Sequence, residues 1–448
     1  MSFLNHIINR YLIYYPIFFL KGHNLPLYIN RYNKTQYLPD SVMSRIQMEK
    51  LKSIIAYSKK YVPFYMQEYS NIDDYTISSI SDIEGIPFIT KKDIIERANE
   101  FETSRPMYFK TKKTTGGSTG QPVTIIKSLN SLTCELAATW RAYSWAGIRI
   151  GDKQAKFWGV PLSHKERNRA KLIDKISNRK RFSAFSFNED NLREYYYTLT
   201  KYKPDYLYGY VSMLTEFALY LQQSGLNPNL NLKCIITTSE LLTSYHRNLL
   251  EKVFSTRVYN EYGCGEVGSI AHECEYGSMH VMSENLIIEV YDGNRRCEPE
   301  EVGEFVITEL NNYAMPLIRY RLGDFGCISK AKCGCGRELL VIKDIHGRAY
   351  DILTNRYGEK FHGEFFMYIL EAVQKKKMGI SAFQVEQKGI DHLVIKIKTD
   401  KGYCNGTEQF ITNNIREKFD KDVVIDFKLV NEIEREPSGK MRIIVGMK

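Results

Sequence analysis

Thr114-Thr115-Gly116-Gly117-Ser118-Thr119-Gly120-Gln121-Pro122 leads directly into a β-like run over residues 123–126. Three glycines and four hydroxyl side chains share these nine positions. Glycine permits the close approach and positive φ that aim successive backbone N–H groups at one anion. Hydroxyls add further donors, so the stretch suits a polyphosphate. It is not a Walker A sequence, because no Gly-Lys-Ser/Thr closes it. Taken alone, it reads equally as a phosphate cradle or as a flexible polar surface loop.

The rest of the chain narrows that choice. At 448 residues it is long for one domain, and 43% apolar residues are enough for a large core. Nine cysteines without ladder-like spacing, and no signal-peptide pattern, point to a reducing cytoplasm. The net charge of +10 favours anionic partners. The basic residues are scattered and no base-reading motif accompanies them, so nucleic acid is not expected as a partner. An aromatic and aliphatic run over residues 7–20 is interrupted by Asn9, Arg10 and Pro16. It is too short and too broken for a transmembrane helix. Packing against the protein body is expected, with peripheral membrane contact as the other reading.

Residues 40–100 read as helical with short breaks, and Thr90 with Asp93 has capping character. A helix is expected over 131–146. Strands at 155–160, 206–208, 234–237 and 257–259 then alternate with helices at 189–202, 212–223 and 242–253. That alternation predicts an α/β architecture with a largely parallel sheet. After about residue 278, runs 286–291 and 303–310 look like antiparallel, partly exposed strands. From Gly347 the order is strand or turn, helix (364–374), strands (382–387, 392–398), helix (407–419) and strand (423–429). The expected organisation is an N-terminal domain over 1–346, containing a β subdomain at about 270–340, and a small mobile α+β domain over 347–448.

Three further polar constellations follow the glycine-rich stretch. Tyr259-Asn260-Glu261-Tyr262-Gly263-Cys264-Gly265-Glu266 comes after a predicted strand, where ligands of α/β sheets bind. Tyr262 can stack on a purine and Glu266 can hold Mg²⁺; a strand-end turn with a solvated glutamate fits as well. Arg319-Tyr320-Arg321-Leu322-Gly323-Asp324 offers a carboxylate for two ribose hydroxyls, or a plain β-turn. Pro437-Ser438-Gly439-Lys440 makes a tight turn that projects a mobile cation.

In this order the constellations resemble the adenylate-forming superfamily of acyl-CoA synthetases, peptide-synthetase adenylation domains and luciferase. Within it they are most similar to the phenylacetate–CoA ligase-like branch, including its CapK-type members from capsular-polysaccharide loci. The likeness covers residues 40–448. Residues 115–122 are similar to the family's phosphate loop, Tyr262–Glu266 to Tyr-Gly-x-Thr/Ser-Glu, and Tyr320–Asp324 to Tyr-Arg-Thr-Gly-Asp. Gly347-Arg348 resembles the Gly-Arg hinge, and residues 437–440 the Pro-x-Ser-Gly-Lys loop with the catalytic lysine.

The resemblance implies that a carboxylate attacks the ATP α-phosphate and expels pyrophosphate. Thr115, Gly116, Gly117, Ser118, Thr119 and Gly120 would hold the β- and γ-phosphates. Glu266 would ligate Mg²⁺, Tyr262 and Gly263 would pack on adenine, and Asp324 would take the ribose, with Arg348 in support. Ser239-Glu240 would lie near the nucleotide and Tyr208-Gly209-Tyr210 would line the acyl pocket. Lys440 would bridge the carboxylate and the α-phosphate. Two departures stand out: Gly265 replaces the usual Thr or Ser, and Tyr350 replaces the first acidic hinge residue.

The cysteines supply a second candidate. Cys333-Gly334-Cys335 can offer two thiolates from a glycine-rich turn, and Cys274 with His280 can complete a tetrahedral Zn²⁺ site. His272 is the substitute for His280, and free thiols in a loop are the alternative. Such a closed site would be structural and would pin the β subdomain. The expected enzyme is thus an ATP-, Mg²⁺- and CoA-using ligase of a small carboxylic acid, phenylacetate or another aryl acid by default. A saccharide acceptor in surface-polysaccharide synthesis and a catalytically weakened nucleotide-binding protein remain as alternatives, and a homodimer is left open.

Overall fold

β-branched and aromatic runs alternate with amphipathic stretches through the middle of the chain, and each run becomes a strand that a helix then covers. The computed structural model describes residues 6–70, 80–114, 123–158, 164–183, 189–348, 352–362, 365–366, 369–370, 372–373, 376–434 and 441–447. Two units are distinguished. The first comprises Met1–Leu242, Leu249–Leu322 and Gly326–Asp344; the second comprises Thr243–Asn248, Gly323–Phe325 and Ile345–Lys448.

In the first unit, α1 (Leu25–Thr35) and α2 (Asp40–Tyr61) precede an antiparallel hairpin of β1 (Lys110–Thr114) and β2 (Thr124–Ser128). Then α3 (Leu129–Trp145) leads into β3 (Gln154–Trp158), α4 (His164–Ile176), β4 (Arg179–Ser183), α5 (Glu189–Tyr202), β5 (Tyr206–Tyr210), α6 (Val211–Gln223), β6 (Cys234–Thr238), α7 (Ser244–Phe254) and β7 (Val258–Cys264). The strands β4-β3-β5-β6-β7 pair in parallel. All five positions of β5 and of β6 are buried, as expected of interior parallel strands covered on both faces. Gly209 permits the β3–β5 approach: a Cβ there would lie 2.6 Å from Phe157 Cβ.

The antiparallel region continues this same sheet. It runs through β8 (Gly268–Glu273), β9 (Met279–Val281), β10 (Leu286–Asp292), β11 (Arg295–Arg296), β12 (Gly303–Glu309), β13 (Tyr320–Ile328) and β14 (Val341–Arg348). Among the described residues the sheet has twelve strands in the order β11-β10-β12-β13-β14-β9-β8-β7-β6-β5-β3-β4. Its outermost strands are basic: Arg295-Arg296 at one edge, Arg179-Lys180-Arg181 at the other.

Residues 286–291 and 303–310 were expected to be partly exposed, and that expectation fails. Both β10 and β12 are buried along nearly their whole length. Helix α2 supplies part of the cover: Gln47 Nε2 donates to the carbonyls of Ser283 and Leu286, both at 2.9 Å. Arg319 supplies more, pairing with the buried Glu289 at 3.0 Å under the Phe88 ring.

The second unit holds a short hairpin, β15 (Ile352–Thr354) with β16 (Lys360–His362), and a four-stranded sheet. The sheet order is β19-β18-β17-β20, with β17 (Ile380–Gly389), β18 (His392–Thr399), β19 (Val424–Leu429) and β20 (Ile444–Val445). β17 and β18 are antiparallel, and α8 (Asn405–Lys418) carries the chain from β18 to its parallel neighbour β19. The buried Asn355 fixes the hairpin turn, donating to Glu359 Oε2 and to Phe419 O, each at 2.7 Å.

Candidate nucleotide site and metal centre

The glycine-rich stretch falls at the tip of the β1–β2 hairpin. Thr115, Gly116, Gly117, Ser118, Thr119 and Gly120 lie outside the described residues, but both stems are described. Thr114 pairs with Thr124 at the mouth, and their hydroxyls are 3.2 Å apart. β1 carries Lys110, Lys112 and Lys113, of which Lys110 pairs with Glu102 and Lys113 with Glu135.

β2 is anchored from beneath by buried charge. Lys127 is fully buried; its Nζ reaches Glu309 Oε2 at 2.7 Å and Val267 O at 3.0 Å. Glu309 also accepts from Ser131 Oγ at 2.6 Å, so each carboxylate oxygen has a partner. Asn312 Oδ1 accepts from Ser128 N, and its Nδ2 donates to Ile126 O, both at 3.0 Å. A buried pair this well satisfied fixes a register, and losing one partner strands the other charge.

Val267 follows Glu266 in the turn between β7 and β8. β7 extends through Cys264, so Tyr262 and Gly263 are strand residues and only Gly265–Val267 turn. Gly263 must be small, because a Cβ would lie 2.5 Å from Gly268 O. Gly268 has φ +99°, and a Cβ there would meet the Glu135 carboxyl carbon at 2.5 Å. Glu135 in turn pairs with Lys113 at 2.9 Å. The hairpin whose stems flank the glycine stretch is therefore tied to the Glu266 turn by Lys127–Val267, and Glu135, held by Lys113, packs closely against Gly268. Glu266 itself is buried, and among the described residues no ion pair or hydrogen bond takes up its carboxylate. The Tyr262 ring is tilted on Phe305 at 6.1 Å.

Other expected site residues stand elsewhere. Ser239 adopts φ 69°, a strained setting for a residue with a side chain. Glu240 receives Ser212 N at 2.6 Å and Ser212 Oγ at 3.0 Å, placing a carboxylate at the N-terminus of α6. Asp324 is a buried residue of β13, beside Gly323 at φ 76°, and Arg348 ends β14. Both belong to the second unit. Tyr350 and Lys440 lie outside the described residues.

A polar cluster lies among the aromatic residues of β3, β5 and β7. Glu261 accepts from Tyr143 OH at 2.8 Å and from Tyr208 OH at 3.3 Å. Its other neighbour is His272 Nδ1 at 4.0 Å. Lys156 Nζ sits over the Trp158 ring at 4.3 Å and the Tyr208 ring at 4.9 Å. Burial, reinforced by Arg179 and Arg181, lowers the Lys156 ammonium to about 7, although Glu261 opposes the shift. Burial raises the Glu261 carboxyl against the hydrogen bonds of Tyr143 and Tyr208. Both charges are thus poorly solvated.

Cys274, His280, Cys333 and Cys335 converge. Their ligand atoms all lie within 4.8 Å of one another. Cys274 Sγ is 3.6 Å from Cys333 Sγ, and Cys335 Sγ is 3.2 Å from His280 Nε2. His280 Nδ1 faces Leu339 O at 3.3 Å, which turns Nε2 toward the thiols. Burial pushes the Cys274 thiol up to about 12. Three sulfurs and one imidazole nitrogen are the donor set of a closed tetrahedral zinc site, so the residues fit that ion. His272, the substitute, is elsewhere: its Nε2 meets Ser269 Oγ at 2.6 Å.

With this geometry described, likeness to known proteins can be weighed. Residues 354–446 match the model of the CapK C-terminal domain. Protein CapK of Staphylococcus aureus is 24% identical over 412 residues, spanning 89% of this chain and 88% of its own. Phenylacetate-coenzyme A ligase of Thermus thermophilus is 24% identical over 330 residues, 71% of this chain and 73% of its own. A crystal structure of 2-hydroxyisobutyryl-CoA ligase, in the postadenylation state with R3-HIB-AMP, superposes with a TM-score of 0.74 at 19% identity. That match covers 92% of this chain and 91% of the other. The chain is thus similar to CapK along most of its length and has the fold of adenylate-forming CoA ligases.

Within the adenylate-forming fold, sequence reading missed the groups that hold the two hairpins together. Lys127 in Thr-Ile-Ile-Lys-Ser looks like an outward strand residue, and its partner Glu309 is 182 positions away. Lys156 and Glu261 carried a faint signal, each being a lone charge in a strand of aromatic and apolar residues.

Proposed function

We propose that this chain is an adenylate-forming ligase that activates a carboxylic acid with ATP and passes the acyl group to coenzyme A. The observation that carries the proposal is the Lys127–Val267 link, which joins the strand following the glycine-rich stretch to the turn that bears the buried Glu266 carboxylate. The hydroxyls and N–H groups of that stretch supply the phosphate donors in this reading. Homology to phenylacetate–CoA ligases and the shared fold support the same reading.

In this reading an oxygen of the substrate carboxylate attacks the ATP α-phosphorus. The new O–P bond forms as the bond to the β-phosphate bridging oxygen breaks, and pyrophosphate leaves. Such transfer rests on positioning and charge stabilisation. Thr115, Ser118 and Thr119, with the N–H groups of Gly116, Gly117 and Gly120, grip the β- and γ-phosphates. Glu266 would hold Mg²⁺, which when bound offsets charge on the phosphates. Tyr262 and Gly263 pack on adenine, with Ser239 and Glu240 near the nucleotide. Asp324 accepts from the ribose hydroxyls, Arg348 supports them, and Lys440 bridges the carboxylate and the α-phosphate. The thiolate of coenzyme A then attacks the acyl carbon: a C–S bond forms, the C–O bond breaks and AMP departs. Cys274, His280, Cys333 and Cys335 hold a structural Zn²⁺ outside this chemistry.

Two observations favour a particular variant. The likeness to CapK extends over most of the chain and includes its C-terminal domain. Lys156, Glu261, Tyr143 and Tyr208 also bring hydrogen-bonding groups together among the aromatic residues of β3, β5 and β7, beside which the acid would lie. An acid bearing a polar or charged group, passed to a saccharide acceptor of surface-polysaccharide synthesis, suits these better than a bare aryl acid.

ATP–pyrophosphate exchange across a panel of polar and aryl acids tests both readings. Exchange is expected with at least one acid and is lost in Lys440→Ala, which still binds ATP. Absence of exchange with every acid sinks the ligase reading; exchange without acyl-CoA formation favours the saccharide acceptor.

A further inference from the structure

Residues 6–20 are one continuous helical run, and its two faces differ in chemistry. The inward face is fixed to the body of the first unit. Asn9 and Tyr14 are buried there, and Asn9 Nδ2 donates to Ile176 O at 3.4 Å. Tyr14 stacks on Phe18 at 4.4 Å and meets Trp140 edge-on at 5.7 Å, while Trp140 Nε1 donates to its hydroxyl at 2.9 Å. Packing against the body therefore accounts for one face only.

The outward face is apolar and open. Ile8, Leu12, Pro16 and Leu20 are all exposed along this run, which passes through a π-helical segment (Asn9–Tyr14) into an α-helical one (Tyr15–Leu20). Leu12 is 72% exposed and Leu20 85%. Tyr11 and Phe19 accompany them in the open, and Leu27 at the start of α1 adds another exposed side chain. An apolar surface of this kind on a globular unit marks a place of contact.

Charge identifies what the contact is with. The first acidic residue of the chain is Asp40; the residues before it contain Arg10, Lys21, Arg31 and Lys34. Arg10 lies over the rings of Tyr11 and Tyr15, at 5.1 Å and 5.3 Å, and Lys21 over Phe18 at 5.5 Å. Exposed aliphatic side chains, rings beside them, and cations here and on α1 that make no ion pair among the described residues are the composition of a surface lying in a headgroup layer.

We propose that the outward face of this N-terminal helix is a docking surface for an anionic lipid bilayer. The helix lies flat, with Leu12 and Leu20 at the acyl boundary and the cations among lipid phosphates. It does not span: no helix among the described residues is long and apolar enough to cross a membrane. A second copy of the chain is the poorer occupant. A symmetric pair would set the same cations against each other with no carboxylate between them, and like charges across an interface oppose association. The surface is independent of the ligase reading. If both hold, activation takes place beside the membrane.

Co-sedimentation of the full chain with vesicles tests the proposal. Binding to phosphatidylcholine vesicles containing about 30% phosphatidylglycerol should exceed binding to pure phosphatidylcholine by about tenfold or more, and fall as salt is raised. Leu12→Asp with Leu20→Asp should abolish binding, and Lys21→Glu with Arg31→Glu should remove the preference for anionic lipid. These positions are on the surface, so thermal unfolding and any pyrophosphate exchange in solution should match wild type. Equal binding to neutral and anionic vesicles, or undiminished binding by either double variant, overturns the proposal. So does a dimer in light scattering that Leu12→Asp with Leu20→Asp disperses, which would make a second copy the occupant.

Discussion

Lys156 illustrates what one buried charge can report. Its ammonium lies between two aromatic rings, and burial lowers it from 10.5 to about 7. Between those values the unfolded chain binds the proton and the folded chain does not. Stability must therefore rise with pH through that window and level off below it. Urea unfolding at about pH 7 and about pH 9.5 should show this rise in wild type and a smaller one in Lys156→Met. Identical slopes would show that Lys156 is not the group concerned. Sequence reading did not single out Lys156 or Glu261, because local sequence does not show what encloses a charge. That depends on Tyr143, Tyr208 and Trp158, which arrive from three separate elements. Glu240 illustrates the converse: its place in the chain suggested the nucleotide, and the fold also gives it the N-terminus of α6.

At the scale of elements, the β1–β2 and β7–β8 hairpins behave as one piece because Lys127 joins them. Lys127→Met leaves Glu309 buried without its counter-charge and should cost about 3–5 kcal/mol in urea unfolding. Combined with Glu309→Met the loss should be smaller than the sum of the two single losses, and strict additivity would deny the coupling. Sequence reading expected a strand directly after the glycine stretch, and β2 is there. It ended β7 too early, because Tyr262-Gly263-Cys264 reads as a turn until the partner strand Gly268–Glu273 is present. The Cys274–His280 and Cys333–Cys335 segments were legible as donors, since spacing alone brings two ligands into each. Purified protein is expected to hold about one zinc per chain, and stripping it with a chelator should remove about 2–4 kcal/mol of stability. Metal analysis showing no zinc, together with a melting temperature indifferent to chelator, would leave the four side chains as ordinary thiols and a histidine.

For the whole molecule, alternation of strand and helix between residues 189 and 264 was readable because each element there has its own periodicity, whereas α4 and β4 were not expected. The burial of β10 and β12 was not. Alternation of side chains along those strands says little when α2 covers them from some 240 positions earlier in the chain, as the Gln47–Leu286 hydrogen bond shows. Nor could sequence disclose that parallel and antiparallel strands share one sheet, which follows from β7 pairing with β6 on one side and β8 on the other.

A sheet so broad has two raw margins, each an open row of backbone donors and acceptors. At one margin stand Arg295 and Arg296; at the other, Arg179, Lys180 and Arg181. Asp174 pairs with Arg179 and Arg181 at one margin, leaving an excess of positive charge there; at the other, Arg295 pairs with Glu301 and Asp292, and Arg296 with Glu84. A foreign strand would meet unbalanced cations at the β4 margin and a mesh of ion pairs at the β11 margin before any ladder could form. The side chains that finish the sheet thus work against its growth.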